Sequence, residues 1–211
     1  MNWSITSSTE HLKPVMRKCI TILSGILKPP TIIEIGSGSS TKMAVKAIER
    51  NFIETNLSAS IICIEPYEMP WLEKLNIEIH RKRIEEFDLS FFQQLKKNDI
   101  LFIDSSHIIR PQGDVLFEYL QLLPALNKGV IIHVHDIFTP FHYPVEWIKE
   151  YRMWNEQYLL EAFLSYNKEF EILSANNFLK AYHEPEFAAA CPVFALRPEQ
   201  GVGSLWLRKV D

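Results

Sequence analysis

The chain has little with which to be stapled. Its 211 residues hold three cysteines, Cys19, Cys63 and Cys191, and no two of them stand in a CxxC spacing. That argues against a disulfide framework and against a structural zinc site. Cys63 lies inside an apolar run, where a small buried thiol is the ordinary reading. An excess of positive charge is lacking too. The formal net charge is -4, so a nucleic-acid partner is not expected. No apolar run is long enough to span a bilayer and no charged-then-apolar leader opens the sequence. No membrane partner is therefore expected, and the cytoplasm is the expected location. Repeats, low-complexity tracts and linkers are absent as well, so a single domain over residues 1–211 is expected.

What is present is a rhythm of short apolar strands and helices. Thr31–Ile35, Ser58–Ile64, Ile77–His80, Asp99–Ile103 and Gly129–Val134 read as strands. Thr41 to about Phe52, a short stretch at Phe91–Leu95, and Val115–Leu123 read as the helices between them. Continuous apolar strands imply a parallel sheet covered on both faces. Alternation of strand and helix implies a doubly wound α/β fold. Ahead of the first strand, apolar residues from Leu12 to Leu27 recur at helical spacing and predict an amphipathic helix over 9–28, stopped by Pro29-Pro30. It could pack on its own sheet or on a second copy of the chain. After Asp136 a proline- and aromatic-rich insertion, about 137–157, breaks the rhythm. A helix through Trp154–Leu164 follows, and Glu169–Leu173 and Gly203–Arg208 complete a seven-stranded, mostly parallel sheet with helices on both faces. The stretch around Tyr182-His183-Glu184 reads as irregular and suits a lid.

Glycine is sparse, at seven residues, and two of the seven fall at one informative place. In Glu34-Ile-Gly-Ser-Gly-Ser-Ser-Thr41 a buried-type strand runs into a loop of small residues (Gly36, Ser37, Gly38) and a helix follows. Glu65 ends the next strand. Glycines let the backbone approach a nucleoside closely, and a carboxylate at the next strand end takes the ribose hydroxyls. The G-x-G-x-x-G of dinucleotide sites is incomplete, since Thr41 stands where its last glycine belongs. This disfavours a pyrophosphate cradle, and with it a nicotinamide-dependent oxidoreductase, the alternative enzyme reading. Glu34 is awkward beside a phosphate and would suit a cofactor carrying positive charge. The plain alternative for it is a solvated strand-end carboxylate.

With Glu65, the segment Glu34–Thr41 resembles the cofactor site of class I S-adenosylmethionine-dependent methyltransferases, a Rossmann-like fold. Phe102-Ile-Asp-Ser-Ser-His107, His133-Val-His-Asp-Ile-Phe138 and Trp154-Asn-Glu-Gln-Tyr158 narrow the resemblance to bacterial small-molecule O-methyltransferases of the macrolide-sugar type. The resemblance implies that the Gly36–Gly38 loop passes beneath the methionine part of the cofactor. It implies that Glu65 holds the ribose and that adenine lies near Arg83, Ile84 and Glu85. The partner it implies is a sugar or glycosylated small molecule.

Ligands of open α/β sheets bind beyond the carboxyl ends of the strands. Asp104 follows the fourth strand and Asp136 the fifth, so Asp104, His107, His135 and Asp136 should converge. A neutral alcohol is a poor nucleophile. A positioned histidine that takes its proton contributes roughly 10² to 10⁴ in rate, and a bound cation can lower the hydroxyl pKa. Some members of the resembling group bind magnesium through an Asp on the fourth strand and an acidic pair on the fifth. Their Asp-x-x-His is a ligand-plus-base pattern. The resemblance thus implies His107 as general base beside Asp104, with Asp104, His135 and Asp136 as the metal set. This chain departs at His135, where those members carry a glutamate. Histidine is a poor magnesium ligand and suits manganese, iron or zinc better. A different metal, magnesium with fewer protein ligands, and no metal all stay open. His133 shares a face with His135 but lies deeper in the strand, where a structural role suits it. Arg110, His142, Arg152, Trp154, Asn155 and Gln157 read equally as pocket groups and as ordinary loop or helix-start residues. A non-catalytic module that keeps the cofactor fold is the remaining reading.

Overall fold

The computed structural model describes residues 27–67, 69–191, 194 and 201–211. The helix expected over 9–28 lies outside these, Leu27 and Lys28 excepted. Seven strands form one sheet in the order β3-β2-β1-β4-β5-β7-β6. They are β1 (Thr31–Ile35), β2 (Ser60–Ile64), β3 (Glu78–His80), β4 (Ile100–Ile103), β5 (Ile131–His135), β6 (Phe170–Ala175) and β7 (Ser204–Lys209). The first five run parallel, and β7 is antiparallel to both neighbours. The doubly wound, mostly parallel sheet expected from the strand–helix alternation is the one observed.

The central strands are rich in isoleucine because both faces are covered, so a side chain pointing either way is buried. On one face Ile33, Leu101, Ile132 and Leu207 belong to the larger core, and on the other Ile32, Ile100, Ile131 and Trp206 pack with Ala44. Ala44 comes from α1 (Ser39–Thr55), which ends where Asn56 takes a left-handed conformation, φ 56°. Strand order reverses between β1 and β4. Their carboxyl ends diverge to opposite neighbours there, and a crevice opens at that switch point.

Three expectations are corrected. The helix expected at Val115–Leu123 is α2 (Asp114–Phe117), a π-helical stretch (Glu118–Leu122) and a final turn, α3 (Leu123–Ala125), in unbroken succession. The stretch at Phe91–Leu95 is a 3-10 helix over Leu89–Gln94. The segment around Tyr182-Glu184 is not irregular: it joins two short helices at His183. After α4 (Val145–Lys149) and α5 (Glu156–Leu164), these are α6 (Asn176–Tyr182) and α7 (Glu184–Ala190). Pro185 sits in the first turn of α7, where a missing N–H costs nothing. Phe187 buries itself with Cys191, Phe194 and Val202 in a small separate core. Among the described residues, no helix is long and apolar enough to cross a membrane.

Candidate active site

The first strand ends in a turn that only glycine fits well. Gly36 has φ +83°, and a Cβ built on it would lie 2.1 Å from the carbonyl oxygen of Asp104. Gly36 N donates to Ile64 O at 2.9 Å, and Asp104 N donates to Ile35 O at 3.0 Å, so the ends of β1, β2 and β4 are tied together. Glu65, 5% exposed, is fixed from two sides. Its Oε2 accepts from Ser37 N at 3.1 Å and Ser37 Oγ at 2.9 Å, while Oε1 accepts from Tyr67 N at 2.9 Å. The carboxylate at the end of β2 thus holds the glycine loop in shape. Thr41 is fully buried, and its Oγ1 accepts from Gly38 N at 3.0 Å. The residue in place of a third glycine caps its own loop.

A cleft of about 220 Å³ opens above these strand ends, and its walls include Gly36, Glu65, Arg83, Ile84, Asp104 and Ser106. The predicted cofactor residues Gly36, Glu65, Arg83 and Ile84 therefore meet in one space with Asp104, a residue also expected to touch the cofactor. Ser37 joins them through its bonds to Glu65, whereas Gly38 and Thr41 are not in the wall. Glu34 is elsewhere. It alternates with Ile33 and Ile35, so its side chain points to the opposite face of the sheet, beneath α1. There it lines a small cavity of about 10 Å³ with Ser40 and Trp206, room for roughly one water. Among the described residues, Glu34 Oε2 and Trp206 Nε1 have no hydrogen-bond partner. Burial pushes the Glu34 carboxyl up to about 8, against the lowering influence of the Ser40 and Thr41 hydroxyls.

His107 is the centre of the second half of the site. It is 5% exposed and has φ +60°, in the left-handed region. Its Nε2 lies 3.3 Å from Asp104 Oδ1, and its Nδ1 lies 2.6 Å from Glu156 Oε2. The other Glu156 oxygen accepts from the hydroxyl of Tyr119 at 2.7 Å. Burial alone would lower the imidazole pKa, but the hydrogen bonds and charges of Asp104 and Glu156 outweigh it and raise it well above 6.5. Burial acts on Asp104 in the opposite sense, and His135 and His107 overcome it to hold that carboxyl at about 2. Asp104 and Glu156 thus both favour the charged form of the ring between them. Glu156 and Tyr119 are the functional candidates that the sequence reading passed over. The one signal was Glu156 within Trp154–Tyr158, where it reads as an ordinary helix-start charge.

The remaining predicted groups divide. His133 is 1% exposed, stacked on Phe102 at 4.3 Å and edge-on to Trp206 at 4.4 Å. Among the described residues neither of its ring nitrogens has a partner, and burial pushes its pKa well below the usual value, so it is a neutral core residue. His135 Nε2 lies 3.7 Å from Asp136 Oδ1. Among the described residues, no three of His, Cys, Asp and Glu are arranged to hold a metal ion. The donors themselves explain why. Asp104 Oδ1 is engaged by His107 and one of the three expected ligands is an imidazole, so the set does not fit a hard cation.

The insertion at 137–157 builds an aromatic wall beside His107. Trp154 lies over the His107 ring at 4.2 Å and meets Trp147 edge-on at 4.8 Å. Arg152 sits over both indoles, 5.0 Å from Trp147 and 5.6 Å from Trp154. The wall is fastened to α5, because Gln157 Oε1 accepts from Phe138 N at 2.7 Å and Tyr143 Oη accepts from Gln157 N at 3.0 Å.

This sheet order, with a polar cleft at the switch point, defines a Rossmann-like fold. Residues 33–137, the segment carrying the glycine turn, Glu65, Asp104, His107 and Asp136, match the family model described as a methyltransferase domain. Over that segment the chain is similar to a methyltransferase domain. Solved structures share its fold at low identity. The O-methyltransferase from Bacillus cereus, in complex with S-adenosylhomocysteine, is 14% identical with a TM-score of 0.53, and the match covers 95% of this chain and 83% of that one. A protein from Thermobifida fusca described as a methyltransferase is 12% identical with a TM-score of 0.50, covering 93% of this chain and 79% of that one. No curated protein matches the chain in sequence.

Proposed function

We propose that this protein is a cytoplasmic enzyme that moves the methyl group of S-adenosylmethionine to a hydroxyl oxygen of a sugar or other small metabolite. The observation that carries the reading is the position of His107, buried beside the cleft with Nε2 facing Asp104, a wall residue of that cleft. The bound cofactor supplies an electrophilic methyl group on a cationic sulfur. Glu65 would take the ribose hydroxyls, Arg83 and Ile84 would flank the adenine, and the Gly36 turn brings the backbone close. Glu65 and Asp104 make the cleft suited to a cation, which a pyrophosphate would not be. On the acceptor side, Tyr143, Trp147 and Trp154 form a stiff apolar wall of the kind that holds a ring.

The chain's own contribution to the reaction is proton transfer and alignment. Neutral His107 accepts the hydroxyl proton at Nε2 as the oxygen attacks, and Asp104 stabilises the imidazolium that results. Alignment of oxygen and methyl supplies the larger share of the rate. No step is routed through a metal, since the donor set does not fit a hard cation.

Calorimetric titration with S-adenosylhomocysteine, on wild type and Glu65→Ala, tests the cofactor half. Binding that collapses in the variant is expected. Absent binding to wild type, with NADH binding in its place, would overturn the reading. Transfer of a labelled methyl group across a panel of sugars, phenols and amines tests the acceptor half, with label expected on oxygen.

A further inference from the structure

Glu156 is fully buried, yet it is a carboxylate on the first turn of a helix. A buried carboxylate is costly unless each of its oxygens is paired. Here both are. Tyr119, itself fully buried, donates its hydroxyl to Oε1, and the His107 ring meets Oε2 through Nδ1. The backbone repeats the connection. The N–H groups of Asn155 and Glu156 donate to the carbonyl of His107 at 3.0 and 3.3 Å, and Asn155 Oδ1 accepts from Ile109 N at 2.6 Å. The start of α5 therefore grips residues 107–109, main chain and side chain together, and holds His107 in its left-handed conformation.

The consequence for the ring is specific. A histidine whose Nδ1 faces a carboxylate keeps a proton on that nitrogen, so its variable site is Nε2. In this protein Nε2 is the nitrogen turned to Asp104, a residue of the cleft wall. We propose that Glu156 is a positioning residue that fixes His107 as the Nδ1–H tautomer and so aims Nε2 at the acceptor hydroxyl. Tyr119 is the anchor that keeps Glu156 in place. This rests on the reading of His107 as the base in methyl transfer, but the placement of the ring can be tested without turnover.

The test uses the full chain and two substitutions, Glu156→Gln and Glu156→Asp. Gln keeps the volume and can still bond Tyr119, but its amide can present a donor to Nδ1 and favour the wrong tautomer. Asp keeps the charge on a shorter stem. The expected result is a loss in kcat of about 10²-fold in Glu156→Gln, with acceptor KM and S-adenosylhomocysteine affinity within about twofold, and partial recovery in Glu156→Asp. Nitrogen-15 NMR of labelled histidine gives the independent readout. A strongly downfield Nδ1 proton should be present in wild type, absent in Glu156→Gln and retained in Glu156→Asp. A kcat unchanged by Glu156→Gln overturns the proposal, as does a His107 tautomer unchanged in that variant. If wild type binds no S-adenosylhomocysteine and transfers no methyl group, the methyltransfer reading fails, and the NMR arm still decides the placement of the ring. Should Glu156→Gln not fold, Tyr119→Phe takes its place, with a smaller kcat loss and a weakened Nδ1 resonance expected. An unchanged resonance and rate there would overturn the proposal equally.

Discussion

The α-carbon of Gly36 and the carbonyl of Asp104 are in such close approach that a single methyl group between them would lie 2.1 Å from the oxygen. The contact joins the glycine turn to the residue beside His107, so the two halves of the site are set by one backbone distance. Gly36→Ala adds that methyl group, and at φ +83° it also forces a left-handed alanine. Overpacking and backbone strain together should cost about 3 kcal/mol. Urea unfolding should report that loss as a lowered midpoint. Calorimetry should show weakened S-adenosylhomocysteine binding even where the variant remains folded. A midpoint equal to that of wild type would mean the turn relaxes, and that the glycine is not required by this contact.

Glu34 gives a pH dependence of stability with a definite sign. Its carboxyl rises from an ordinary 4.5 to about 8 in the fold through burial. Between those values the folded state holds a proton that the unfolded state has released, so stability falls as pH rises through that window. The favourable contribution is complete below 4.5 and lost above 8, amounting to about 5 kcal/mol. Glu34→Gln is neutral at every pH and removes the slope. Urea midpoints at pH 5 and pH 9 should show the variant gaining on wild type at the higher pH. A difference between the two proteins that does not change with pH would contradict the buried, proton-holding assignment.

The same residue shows how far the sequence could be read. The strands were legible because burial on both faces leaves continuous runs such as Ile61–Ile64 and Ile100–Ile103. Asp104 and His107 were legible because their relationship is local, three residues apart after a strand. The direction of Glu34 was available in principle from the period of two, since Ile33 and Ile35 claim the other face. Its place at the strand end suggested the cleft instead. Glu156 could not be found this way. Its bond to His107 spans 49 residues, and no pattern within α5 distinguishes a buried carboxylate from a solvated one. The short helices α6 and α7 were missed because each has about two turns, too few for a period to emerge.

Chelation distinguishes the metal readings. The Asp104 carboxylate is engaged by His107, which already brings positive charge to the place a cation would occupy. His135 offers nitrogen where a hard cation needs oxygen. Prolonged treatment with a strong chelator should therefore leave methyl transfer unchanged, and added magnesium or manganese should not stimulate it. A loss of activity that either ion restores would show that Asp104 releases His107 to take a metal with Asp136. The account of His107 as a free base would then have to change.

His107 itself carries the sharpest prediction. Asp104 and Glu156 favour its charged form and hold its pKa well above 6.5. Only the neutral ring can accept a proton. The kcat/KM profile should therefore climb with pH and level off only above that ordinary histidine value, with the fraction of neutral His107 setting the slope. In His107→Ala the rate should fall by roughly 10² to 10⁴ and the climbing limb should vanish, while S-adenosylhomocysteine affinity changes by less than about threefold, because Glu65 and Gly36 remain in place. Initial rates from pH 5 to 10, paired with calorimetry, check both parts. A limb that survives in His107→Ala would assign the proton to another group. Cofactor affinity falling in step with the rate would make His107 a structural support of the cleft and remove it from the proton transfer.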